Sequence, residues 1–319
     1  MIEVKGLTKY YGETLAVDDI SFEIEKGEIV GFLGPNGAGK TTTLKILTCY
    51  MPPSKGTAVI AGHDIFENSI EVRRNIGYLP ESNALYYEMG VVEYLTFIAR
   101  MRNIPSADIR ERIRHAVEIC GLGDVVHKEI AELSKGYKQR VGFAQTIVHD
   151  PPILVMDEPT IGLDPNQIVE IRDLIKNLGR EKTVILSSHI LSEVQATCDR
   201  VIIINKGKIA AEGTTAELQA LVQGKAIVYL KLKGDEAAIT EKLKAVEGVD
   251  GVSVCDREPG ELVGYLVEAA SGVDLREALY GFSVKSKYPI FEMRRETVTL
   301  EESFRKLTAG DGGENAESA

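Results

Sequence analysis

GPNGAGKTT, residues 34–42, follows the apolar run IVGFL at 29–33, and this pair of segments decides the fold. The spacing is G-x-x-x-x-G-K-T. Gly34, Gly37 and Gly39 let the backbone fold tightly, so that successive N–H groups point inward around phosphate oxygens. Lys40 can reach β- and γ-phosphates, and the Thr41 hydroxyl can hold Mg²⁺. Pro35, Asn36, Ala38 and Thr42 complete the wall of the loop. A helix starting near Lys40 adds its positive N-terminal end at the same spot. Strand, glycine-rich loop and helix in that order read as a P-loop rather than an ordinary turn.

Outward from this loop, the chain to about residue 217 alternates short apolar runs with helical patterns, which marks an α/β domain. The runs at 153–156, 183–187 and 201–204 are continuous, as in a parallel sheet buried on both faces. Residues 69–114 read as mostly helical and charged, part of a helical insertion expected over about 82–150. Thr214 to Glu217 has capping-box spacing for one last helix. The first domain is expected to span 1–219. Beyond residue 224 the pattern changes. Strands are expected at 226–232, 249–255, 261–268 and 282–288, with helices at 236–246 and 274–280. That order, β-α-β-β-α-β, predicts a small ferredoxin-like α+β domain over 224–308. Thr299 and Glu302 can cap a final helix, and the polar tail at 309–319 is expected to be disordered.

Two further segments carry chemistry. ILVMDEPT, 153–160, ends a strand in two carboxylates. Asp157 sits where a P-loop fold holds Mg²⁺, and Glu158 could accept a proton from, or align, an attacking water. LSKGYKQR, 133–140, carries Ser134 as a good N-cap before an apolar helical pattern. Its hydroxyl and the N–H groups of Lys135 and Gly136 can form an anion site.

These motifs, in this order, resemble the ATPase subunit of ATP-binding-cassette (ABC) transporters. The resemblance covers residues 1 to about 217. GPNGAGKTT matches the Walker A motif and ILVMDEP the Walker B motif, which implies Glu158 as the catalytic carboxylate. LSKGY resembles the signature LSGGQ, with Lys135 and Tyr137 in place of Gly and Gln. IGLD, 161–164, resembles the D-loop and brings in Asp164. SSHILSE carries His189 at the switch-histidine position, and Tyr11 matches the aromatic residue that stacks on adenine. Where the family has Gln after a phrase like GYLP, this chain has Glu81, a carboxylate that can still meet Mg²⁺ or water. Glu81, LSKGY and LEESF at 300–304 together resemble the type-2 exporter branch.

The resemblance implies ATP and Mg²⁺ as cofactors and a homodimer in which Ser134 and Gly136 of one copy face the P-loop of another. It also implies a separate membrane permease, met by the insertion near 81–89 through Asn83, Leu85, Tyr86, Tyr87 and Met89. A GTPase would need N-K-x-D; the nearest run is Asn205-Lys206-Gly207-Lys208, with Lys where a carboxylate must accept from guanine. That run reads as a turn.

Composition narrows the partners. The net charge is −11 at pH 7 over 319 residues, which argues against binding nucleic acid through a basic stripe. From Gly224 on there are 13 Lys and Arg against 18 Asp and Glu. A soluble relative acting on RNA or ribosomes is the alternative, but such proteins carry two cassettes or a long coiled coil. Cys49, Cys120, Cys198 and Cys255 lie far apart and read as free buried thiols in a reducing compartment. No apolar run is long enough to span a bilayer, and the first residues lack the apolar core of a signal peptide. A cytoplasmic protein, peripheral on the inner membrane face through its permease, is the expectation.

Overall fold

The computed structural model describes residues 1–222, 227–260, 262–269 and 274–296. The chain divides into two compact units, Met1–Thr215 and a second that begins at Ala216. The first unit opens with β1 (Ile2–Tyr11), β2 (Thr14–Ile24) and β3 (Ile29–Leu33), then α1 (Lys40–Leu47). β4 (Lys55–Ile60), β5 (His63–Asp64) and α2 (Ser69–Asn75) lead into β6 (Ile76–Leu79). Next come the helices α3 (Val91–Met101), α4 (Ile109–Ile119) and α5 (Lys135–Ile147). The unit then alternates through β7 (Ile153–Asp157), α6 (Pro165–Gly179), β8 (Thr183–Ser188), α7 (Leu191–Thr197), β9 (Arg200–Asn205) and β10 (Lys208–Gly213). α8 (Thr215–Val222) closes this stretch.

Two sheets form the first unit: an antiparallel one in the order β2-β1-β4-β5, and a six-stranded one in the order β10-β9-β3-β8-β7-β6. In the second, every pairing is parallel except that of β10 with β9. β3, β7 and β8 are buried at every position, the expected result of continuous apolar runs covered on both faces. The sheets share one core, where Phe22 of β2 meets Phe32 of β3 edge to face at 5.1 Å.

The expectation that 69–114 runs mostly helical fails at β6. IGYL pairs in parallel with β7 and supplies the sheet's edge strand. The run is short and lies between the charged α2 and Glu81, so only its pairing reveals it. The turn expected at Asn205 to Lys208 is present, with Lys206 and Gly207 at positive φ between β9 and β10.

The second unit is β11 (Ile227–Lys233), α9 (Glu236–Lys244), β12 (Val249–Glu258), β13 (Leu262–Ala269), α10 (Arg276–Ser286) and β14 (Ile290–Glu296). Its sheet runs β12-β13-β11-β14, antiparallel throughout. Val228, Leu230, Leu232, Val263, Tyr265 and Val267 face a core closed by Ile239, Leu243 and Leu279. The last strand was expected at 282–288 and the helix at 274–280; the helix instead continues to Ser286, and the strand starts at Ile290. Phe282 packs on the core from the helix, so tertiary contact overrides its β propensity. Lys287, at φ 64, ends the helix in the left-handed region. The expected final helix, LEESF and the tail lie outside the described residues.

Candidate functional site

The site forms where the parallel strands end. Leu33 of β3 pairs with Ser188 of β8, Ser187 with Asp157 of β7, and Met156 with Leu79 of β6. The loops leaving these strands therefore emerge side by side: the P-loop after β3, Glu81 after β6, Glu158 after β7 and His189 after β8. In open α/β sheets such carboxyl ends are where ligands bind. One pocket is lined by all seven residues from Pro35 to Thr41, by Thr42, and by Glu81, Glu158, Ile161 and His189, with Ala16 as a further wall.

The P-loop is tight for a steric reason. Gly39 stands at φ 110 as the N-cap of α1, and a Cβ there would lie 2.6 Å from the Ala16 carbonyl oxygen. Gly34 runs equally close to the backbone of Ile204. Lys40 is buried; its ammonium donates to the carbonyl oxygens of Gly34 at 2.7 Å and Pro35 at 3.3 Å, and lies 3.4 Å from Glu158 Oε1. Glu158 is also buried, at φ 49, and its other oxygen is 2.9 Å from His189 Nδ1. One carboxylate thus joins the charged end of Lys40 to the imidazole of the next loop.

Asp157 is almost wholly buried. Its Oδ1 accepts from Thr41 Oγ1 at 3.1 Å and from Ser187 Oγ at 2.6 Å. Its Oδ2 is buried with no hydrogen-bond partner. A buried carboxylate oxygen left open beside a threonine hydroxyl, with the exposed Glu81 on the same pocket, is a hard oxygen set suited to Mg²⁺. Among the described residues no group of three or more His, Cys, Asp and Glu forms a metal cage. A cation at Asp157 would therefore draw the rest of its oxygens from water and phosphate.

Ser187 was not anticipated from the sequence. Besides donating to Asp157 it accepts the Glu158 N–H at 2.9 Å, so one hydroxyl orients both carboxylate residues. The available signal was a pair of serines ending an otherwise apolar strand.

Tyr11, Ser134, Gly136 and Asp164 lie outside this pocket. Tyr11 is 46% exposed, donates from its hydroxyl to Met51 Sδ at 3.0 Å, and carries the Lys9 ammonium 5.6 Å from its ring centre. Ser134 is exposed and caps α5, accepting the Tyr137 N–H at 3.4 Å. Asp164 caps α6 by accepting the Gln167 N–H at 2.9 Å. The first turns of α5 are held against the loop after Glu158: Gln139 Nε2 donates to the Pro159 carbonyl at 2.8 Å. A Cβ on Gly162 would meet Lys135 Nζ, and one on Gly136 would meet the Gln167 side chain.

Of the expected surface anchors near 81–89, Leu85 is buried. Asn83 is engaged internally, donating to the Lys138 carbonyl and accepting from Gln145, each at 3.2 Å. Tyr86 and Tyr87 are exposed. None of the four cysteines is in a disulfide; Cys120 and Cys198 are buried as expected, but Cys49 is only half-buried and Cys255 is exposed.

Fold and site together define a P-loop nucleotide-binding protein of the α/β class. Residues 17–161 match the family model described as ABC transporter. The chain is 33% identical to YxlF, an uncharacterized ABC transporter ATP-binding protein of Bacillus subtilis (strain 168), over 96% of this chain and 99% of that one. It is 32% identical to the daunorubicin resistance ATP-binding protein DrrA3 of Streptomyces coeruleorubidus, over 97% and 96% of the two chains. A solved ATP-binding subunit of an ABC transporter aligns with a TM-score of 0.63 at 30% identity, covering 69% of this chain and 92% of that one. A dimeric ATP-binding cassette in a post-hydrolysis state, bound to ADP and Pi, gives 0.61 at 26% identity, covering 67% and 98%. The chain belongs to the ATP-binding proteins of ABC transporters, and its relatives are of the type-2 exporter-like kind.

Proposed function

We propose that this chain is the ATP-hydrolysing subunit of an exporter, working as a head-to-tail homodimer on a separate membrane permease. The observation that carries the reading is the single pocket joining the P-loop to Glu81, Glu158 and His189. The P-loop N–H groups and Lys40 hold the phosphates. Glu158, fixed between Lys40 and His189, accepts a proton from the attacking water or aligns it. His189 orients Glu158 and meets the γ-phosphate. Thr41, Asp157 and Glu81 would hold Mg²⁺, which offsets the phosphate charge when bound. Tyr11 would stack on adenine, a contact of about 1 to 3 kcal/mol.

Ser134, Gly136 and Asp164 lie outside the chain's own pocket, so their role needs a second copy. The dimeric cassette among the solved structures supports that reading. No helix among the described residues is long and apolar enough to cross a membrane; in this reading the permease supplies the crossing. An open groove lined by Tyr50, Ile70, Tyr86, Phe97 and Met101 offers that partner an apolar seat.

The test is Glu158→Gln. It should lower ATP turnover about 10²- to 10⁴-fold and trap an ATP-bound dimer in size-exclusion chromatography. Undiminished turnover in that variant sinks the assignment, and purification from membranes without any permease sinks the transport half of it.

A further inference from the structure

The last residue of SSHILSE, to which the sequence assigned no role, bonds to both of the loops that carry Glu158 and His189. Glu193 lies in the first turn of α7 and is half-buried. Its Oε2 accepts from Thr160 Oγ1 at 2.6 Å and from Ser188 Oγ at 3.2 Å. Thr160 follows Glu158 by two residues, and Ser188 directly precedes His189. Both hydroxyl residues are buried.

Each loop is already folded around its hydroxyl. The Ile161 N–H donates to the Glu158 carbonyl at 3.1 Å, closing the turn that holds Thr160. Ser188 Oγ accepts the Ile190 N–H at 3.0 Å, closing the turn that holds His189. Glu158 itself stands at φ 49, a left-handed backbone that persists only where its surroundings over-determine it. The two turns also meet at one oxygen of Glu193, apart from the nucleotide pocket: Glu193, Thr160 and Ser188 line a separate one.

We propose that Glu193 is a positioning residue for hydrolysis. It sets the spacing of the Glu158 and His189 loops, and so the contact between their side chains, without touching nucleotide. The inference rests on the proposed ATPase reading. Two hydroxyls converge on one anionic oxygen, a stronger arrangement than a neutral acceptor gives. Thr160→Val keeps the shape of the side chain and removes only the donor.

The experiment measures steady-state ATPase and equilibrium binding of a fluorescent ATP analogue in the full chain. The variants are Glu193→Ala, Glu193→Gln, Thr160→Val and the double Thr160→Val/Glu193→Ala. Glu193→Ala should lower kcat roughly 10- to 100-fold, the scale of a misplaced catalytic group, with analogue affinity within about twofold of wild type. Glu193→Gln should recover most of that loss, and the double variant should be no slower than Glu193→Ala. The proposal is overturned if kcat stays within about twofold in both Glu193→Ala and Thr160→Val, if kcat and affinity fall together, or if the losses of these two variants multiply in the double. Thr160→Val decides the matter should Glu193→Ala fail to fold. Absence of ATPase in the wild-type chain overturns the ATPase reading itself, which keeps the two failures apart.

Discussion

Ser187→Ala tests how the carboxylate pair is built. Ser187 is fully buried, donates to Asp157 Oδ1 at 2.6 Å and accepts the Glu158 N–H at 2.9 Å. Alanine removes both bonds at once. Asp157 Oδ1 keeps only Thr41 at 3.1 Å, while Oδ2 has no partner to begin with. The Glu158 N–H is left buried and unpaired. A hydrogen bond to an ionised group contributes about 1.5 to 3 kcal/mol, and an orphaned buried donor costs about 1 to 3 kcal/mol. The sum predicts a loss of about 2.5 to 6 kcal/mol in the first unit. A loosened Asp157 should also weaken Mg²⁺ affinity about 10- to 100-fold, as loss of an outer hydrogen bond does at metal sites. Denaturant unfolding followed by circular dichroism measures the first quantity, and Mg²⁺ titration of ATPase measures the second. A stability change under about 0.5 kcal/mol with an unaltered Mg²⁺ midpoint would refute the argument.

Gly39→Ala should cost about 2 to 4 kcal/mol and abolish binding of an ATP analogue, because the added Cβ would lie 2.6 Å from the Ala16 carbonyl oxygen at φ 110; wild-type melting and binding would contradict this. Burial, then the neighbouring Arg102, holds His149 down at about 4 against an ordinary 6.5. The unfolded chain takes up that proton first, so stability is complete above about 6.5 and falls as pH drops toward about 4, by up to about 3 kcal/mol. Unfolding midpoints across that range should slope down in the wild type and flatten in His149→Gln; equal slopes would refute the assignment. Burial pushes the Cys120 thiol up to about 12 and Cys198 higher still, whereas Cys255 is exposed. Iodoacetamide near neutral pH should therefore modify Cys255 first by mass spectrometry, and early modification of Cys120 would count against the burial.

The sequence reading reached the parts whose signal is local. β3, β7 and β8 are legible because strands buried on both faces need unbroken apolar runs, and the P-loop because its glycines answer to sterics within one turn. Lys40 and Glu158 were read from the ends of predicted strands and His189 from the family resemblance, and the three line one pocket. β6 was not legible, since IGYL gains its identity only by pairing with β7. α10 and β14 were misdivided because Phe282, Val284 and Ser286 alternate like a strand while the helix buries Phe282. Ser187 and Glu193 escaped for a related reason: each acts through a partner about 30 residues away in the chain, and no spacing rule links such pairs.

The grip between α5 and the loop behind Glu158 has a mechanical consequence. The Gln139–Pro159 bond, with Lys135 lying against Gly162, ties the first turns of the helix to the loop that follows Glu158. In the proposed head-to-tail pair, a helix tip set against the neighbour's phosphates would be joined at its base to its own Glu158 loop. A change at one phosphate site would then reach the other copy's Glu158 loop through that bond.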